Sequence, residues 1–170
     1  NITNPIKLIK YYKLINHNLI YNNKAINRYI KNNLEISADK ADNLLRLKKS
    51  IIEVKNCSLK NNATNIVFSD GNPKSKIMLI GEAPGSNEDQ EGLPFVGRAG
   101  VLLNKMLASI NLDRKNVYIS NVVNYRPPEN RRPTDEEINR YLPFLKKHIE
   151  IINPKILVLL GSSAMNAILG

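Results

Sequence analysis

Three short apolar runs constrain this chain more than any other feature: Ile77-Met78-Leu79-Ile80 after Lys76, the stretch Asn116–Val123, and Ile156-Leu157-Val158-Leu159-Leu160 after Lys155. A strand with one wet face alternates apolar and polar residues. These runs scarcely alternate, so both faces need cover, the pattern of strands in a parallel sheet. Segments of helical period separate them. The order strand–helix–strand–helix–strand–helix predicts right-handed crossovers and an α/β fold, a three-layer α/β/α sandwich around a short parallel sheet. Ligands in such folds sit at the carboxyl ends of the strands, so function is expected in the loops after Ile80, Val123 and Leu160.

The remaining elements follow from local signals. Residues 1–36 are predicted as a basic, Asn-rich extension with a short helix or two, and residues 37–170 as the main domain. Ser37 is a partial cap for a helix reaching about Val54, with Leu44, Leu45, Leu47, Ile51 and Ile52 on its apolar face. Residues 56–64 read as loop. Ile66–Phe68 reads as a short strand before the turn at Ser69–Pro73, and Glu82–Gly97 as one long loop. A helix is predicted from Arg98 to Ile110 with Val101, Leu102, Met106 and Leu107 inward. Thr134 and Glu137 form a capping box for a helix ending near Ile152, where Asn153-Pro154 breaks it.

Composition narrows the function classes. No apolar run approaches the roughly 18–20 residues that span a bilayer. The opening residues carry no small-residue cleavage site, so no signal peptide and no membrane partner are expected. One cysteine, Cys57, excludes an intrachain disulfide and any site needing several thiolates, and suggests a reducing, cytoplasmic setting. It reads as a small buried hydrophobe. The net charge of +10 suggests a polyanionic partner. Residues 1–76 carry 14 Lys/Arg against 5 Asp/Glu, whereas residues 77–170 carry 11 against 10. That excess is either a DNA-facing arm or a solvated basic surface.

The loops carry the unusual residues. Gly81-Glu82-Ala83-Pro84-Gly85 follows a buried strand, where it is either a close approach to a ligand or a plain turn. It lacks the Gly-Lys-Ser/Thr ending of a phosphate loop, so a nucleoside triphosphate is not expected. Glu82, Glu88, Asp89 and Glu91 crowd one loop, as a wet surface or as groups that orient water or favour a cation. Phe95 is a core plug or a stacking platform for a flat ring. Asn121 ends a buried strand, where its amide reads a pyrimidine edge or ties down a loop. Arg126, Arg131 and Arg132 lie in a Pro-stiffened loop suited to phosphates. Ser162 and Ser163 open a helix, as caps or as phosphate donors. His17 and His148 read as surface or packing residues.

Together these strings resemble the family 4 uracil-DNA glycosylases. The resemblance lies in Gly81-Glu82-Ala83-Pro84-Gly85 and Gly92-Leu93-Pro94-Phe95-Val96-Gly97-Arg98-Ala99-Gly100. It extends through Asn116–Val123 with Arg126-Pro127-Pro128 and Asn130-Arg131, and Asn153-Pro154-Lys155-Ile156 to Leu160-Gly161. It implies hydrolysis of the N-glycosidic bond of uracil in DNA by a monomer. Phe95 would stack on the flipped uracil and Asn121 would bond its edge. Glu82, Glu88 and Asn130 would be the catalytic polar groups near base and water, and Glu88 would crowd the C5 side against thymine. Ala83 stands where other uracil glycosylases carry a water-activating Asp. Arg126, Arg131, Ser162 and Ser163 would contact the DNA. The other reading in view is a DNA-binding member of the same fold with little or no activity.

Two departures from the family accompany the resemblance. The family holds a [4Fe–4S] cluster on four Cys. The matching positions here are Val54, Cys57, Tyr125 and Tyr141, so no cluster is expected, and the two Tyr are expected to fill its place. The family's His-Pro-Ser block and a fourth strand have no counterpart before Gly170. Their absence is expected to leave the sheet an exposed edge and to remove a leaving-group donor, the kind of loss that typically costs about 100–1,000-fold. Little activity is therefore expected from this chain, and more from one carrying that block.

Overall fold

A computed structural model describes residues 33–170 of the chain. The extension expected over 1–36 lies outside the described residues as far as Asn32. Helix α1 spans Asn33–Ile52, so Ser37 falls inside the helix and is not its cap. Its buried stripe is Leu44, Leu47 and Ile51, while Leu45 and Ile52 face solvent. A one-turn helix α2 (Ser58–Asn62) interrupts the predicted loop and buries Leu59.

The sheet has four strands in the order β1-β3-β2-β4: β1 Asp70–Gly71, β2 Ile77–Gly81, β3 Tyr118–Asn121 and β4 Ile156–Leu159. The predicted parallel core is present. Leu79 of β2 is in register with Ile119 of β3 on one side and Val158 of β4 on the other. The sheet is mixed, because β1 joins the edge antiparallel, Asp70 against Ile119. The strand expected at Ile66–Phe68 is displaced to Asp70–Gly71. Residues 66–68 instead run beside the loop after β3, where Val67 N donates to Asn124 O at 2.8 Å. Strand β4 was read as buried on both faces but is half exposed, since among the described residues it pairs only with β2.

Alternation along the strands sends side chains to two cores. Met78, Ile80 and Tyr118 pack with Leu44, Leu47 and Ile51 of α1, Tyr141, Leu145 and Ile152 of α5 (Asp135–Ile152), and Ala164 of α6 (Ser162–Leu169). Leu79, Val117 and Ile119 face the other way, against Leu103 and Leu107 of α4 (Arg98–Ser109). Helices on both faces of the sheet make the expected three layers. The inward stripe of α4 is Gly100–Leu103–Leu107, whereas Val101, Leu102 and Met106 are exposed. Leu107 is inward as expected; the other three residues expected inward are not.

Candidate active site

Strands β2 and β3 run parallel, so their carboxyl ends deliver Gly81 and Asn121 side by side; the two are paired in register. Beyond Gly81 the chain forms α3 (Ser86–Glu91), a short helix inside what the sequence suggested was all loop. Glu88 explains it. As the third residue of α3 it reaches back, and Gly85 N donates to its Oε2 at 3.2 Å. Gly92, left-handed at φ 71°, ends the helix. Asp89 is buried, and its carboxylate accepts from Thr64 N (2.9 Å) and Asn65 N (3.0 Å), pinning α3 to the segment after α2. The acidic cluster is therefore largely architectural.

A pocket of about 250 Å³ opens at this point. Ala83, Gly85, Glu88, Phe95, Gly97 and Asn121 line it, together with the start of α4 at Arg98–Ala99. Its size suits one flat ring better than a nucleotide with its phosphates. Phe95 and Asn121 converge. A Cβ at Gly81 would lie 2.5 Å from both Asn121 Oδ1 and Phe95 Cζ, so the two side chains meet over the bare face of that glycine. Phe95 itself sits at φ 56°, in the left-handed region, a conformation that typically costs a non-glycine residue about 1–3 kcal/mol.

Asn121 is 3 % exposed, and its Oδ1 is a buried acceptor with no partner among the described residues. Such an atom typically costs about 1–3 kcal/mol, so an unpaired one inside a pocket points to a ligand that donates there. The loop-tying role belongs to another amide: Asn124 Nδ2 donates to Val67 O at 3.0 Å. The sequence left both roles open for Asn121, and the structure gives the tie to Asn124.

The other site residues are dispersed. Glu88 lines the pocket, but its Oε1 already accepts from Val96 N (2.9 Å) and Gly97 N (2.7 Å). Glu82 turns away to accept the Ser163 hydroxyl. Gly161 is the cap residue of α6 and Ser162 is exposed, so neither serine caps that helix. Asn130 is exposed and outside the pocket lining, its Oδ1 accepting from Arg126 Nε at 2.8 Å. Arg131 forms a fork with Glu137 (2.8 and 2.7 Å). That hydrogen-bonded guanidinium holds the Glu137 carboxyl below its ordinary range, against the opposing effect of burial. A residue the sequence did not flag, Arg114, donates to the carbonyls of Pro94 (2.6 Å) and Phe95 (3.0 Å). It sits in a charged, surface-like stretch, and these two partners are main-chain atoms about 20 residues upstream, so no local signal marks it.

Tyr125, Tyr141 and Cys57 are buried in one cluster with Val54 packed against it. Cys57 Sγ and Tyr141 Oη lie 3.2 Å apart, and the two Tyr rings meet edge to face at 6.5 Å. Burial pushes both phenols up, reinforced by the neighbouring Cys57. One thiol among these four positions does not fit a cluster bound by four thiolates.

Residues 68–170 match the family model described as the uracil DNA glycosylase superfamily. The chain is 50% identical over 121 residues to a type-4 uracil-DNA glycosylase of Sulfurisphaera tokodaii, covering 71% of this chain and 55% of that protein. It is 49% identical over 110 residues to the one of Thermotoga maritima, covering 65% and 57%. It is 47% identical over 116 residues to the one of Archaeoglobus fulgidus, covering 68% and 58%. The chain thus spans a little over half the length of the curated relatives it matches.

Proposed function

Because the chain belongs to the uracil DNA glycosylase superfamily, we propose that it takes uracil from DNA by hydrolysing the N-glycosidic bond. One observation carries the reading: the Oδ1 of Asn121, unpartnered among the described residues, lies beside the tip of the Phe95 ring over the bare face of Gly81. A pyrimidine in that slot stacks on the ring while its N3–H donates to the orphan oxygen. Cytosine has no proton on N3, so in the same pose it presents a lone pair to the oxygen. The base must first leave the DNA stack, at a cost of a few kcal/mol, which stacking and the amide bond offset. The bond then breaks through a cationic sugar, favoured by the carboxylate of Glu88 in the pocket wall and by the DNA's own phosphates. Ala83 supplies no base for water. Arg126 is the better phosphate contact in this scheme, since Arg131 spends its charge on Glu137.

The chain is assayed in excess over a uracil-containing single-stranded oligonucleotide, followed by alkali. Slow scission is expected, strongly reduced though still measurable in Phe95→Ala, and lost in Asn121→Ala. No scission, with equal affinity for uracil- and thymine-containing strands, would defeat the reading.

The same reading gives this chain no iron–sulphur cluster. The Cys57–Tyr141 contact and the Tyr125 ring join α2, α5 and the loop after β3, the job a cluster would otherwise do. Protein purified anaerobically is expected to carry neither iron nor acid-labile sulphide; about four irons per chain would refute this. A monomer in a reducing, cytoplasmic setting fits a chain whose one cysteine is buried.

A further inference from the structure

Phe95 is held in a left-handed conformation with its ring tip against Gly81 and Asn121. Two braces hold it there. On the pocket side, Glu88 receives the N–H groups of Val96 and Gly97. On the far side lies Arg114, in the loop between α4 and β3. Its Nη2 donates to Pro94 O at 2.6 Å, its Nη1 to Phe95 O at 3.0 Å and its Nε to Asp70 Oδ2 at 2.6 Å. Nη1 also reaches Asn104 Oδ1 on α4 at 3.3 Å. One planar group therefore ties the Phe95 loop to the sheet edge at β1 and to α4. The Phe95 carbonyl sits in the space that a side chain at residue 100 would fill, since a Cβ there would lie 1.7 Å from its oxygen. A fork of fixed N–H directions suits this task, and a lysine ammonium cannot reproduce it.

We propose that Arg114 is a positioning residue for the pocket: by gripping the Pro94 and Phe95 carbonyls it sets the angle at which the Phe95 ring meets a flipped pyrimidine. It touches neither base nor scissile bond and acts through Phe95. The inference rests on the uracil reading of the pocket.

The test compares the wild-type chain with Arg114→Lys, Arg114→Gln, Phe95→Ala and the double variant Phe95→Ala/Arg114→Gln. In the free protein, amide hydrogen exchange at Val96 and Gly97 is expected to quicken in both Arg114 variants. Amides of β2 and β3 should keep their wild-type rates, which separates loop release from global unfolding. With uracil-containing single-stranded DNA, single-turnover scission is expected to fall by about 100-fold, the scale of a roughly 1 Å misplacement. Affinity for the strand should change far less. Adding Arg114→Gln to Phe95→Ala should cost nothing more, since the two act as one unit. Unchanged exchange at residues 96–97 overturns the proposal. So does a full loss from Arg114→Gln in the Phe95→Ala background with a shallower salt dependence of binding, the mark of a phosphate contact. Should the wild-type chain leave uracil in place, it is the reading of the pocket that fails, and the exchange rates still decide whether Arg114 holds the loop.

Discussion

A Cβ at Gly81 would fall 2.5 Å from both the Asn121 amide oxygen and the tip of Phe95, so the site exists by virtue of one missing methyl group. Gly81→Ala is expected to push the two side chains apart and remove the preference for uracil over thymine. Overpacking of this kind typically costs about 1–3 kcal/mol, so the variant should still fold. Paired affinity measurements and a thermal melt check both halves; an unchanged preference would show that the slot lies elsewhere. Phe95 and Asn121 were legible in the sequence because an aromatic among glycines and an amide closing an apolar strand are each odd. The duties of Glu88 and Asp89 were not, since a carboxylate that accepts backbone N–H groups looks in sequence like one in water.

Among the elements, α5 was read most fully, because its signals are local. Thr134 and Glu137 cap it reciprocally, Glu137 N to Thr134 Oγ1 at 3.2 Å and Thr134 N to Glu137 Oε2 at 2.8 Å. Tyr141, Leu145, His148 and Ile152 then fall on one buried face. Thr134→Ala is expected to cost about 1 kcal/mol, within the usual range for a lost cap, read as a lower urea midpoint with an unchanged slope. Helix α4 shows the limit of such reading. Its apolar residues nearly surround it, so periodicity left the phase open, and the approach of Gly100 to Phe95 selected Leu103 and Leu107 as the inward pair.

For the molecule as a whole, His148 sits where α5, β3 and the segment before β1 meet. It is stacked on Phe68 at 4.6 Å, with its Nε2 2.8 Å from the Tyr118 hydroxyl. Tyr118 Oη donates in turn to Ser69 Oγ at 2.7 Å, and burial pushes its own ionisation up to about 12. Burial lowers the His148 pKa from 6.5 to about 4. The unfolded chain therefore takes up this proton first as pH falls. The stabilising contribution is whole above about pH 6.5 and is lost progressively down to about pH 4, on the order of 3 kcal/mol in all. Denaturant unfolding at a series of pH values should show that decline in the wild type and a flatter profile in His148→Gln. Parallel profiles would remove His148 as its source.

The sequence by itself determined the three parallel strands, the capped helix, the layer order and the loops that matter, since each depends on period, turn chemistry or capping within a few residues. Tertiary structure decided the rest: the antiparallel edge strand, the phase of α4, the grip of Arg114 on the Phe95 loop, and which of two nearby asparagines keeps an open acceptor. Each of those turns on a contact between atoms distant along the chain, and such contacts leave no periodic trace. Asn124 finds the carbonyl of Val67, whereas Asn121 finds only Phe95 and a gap.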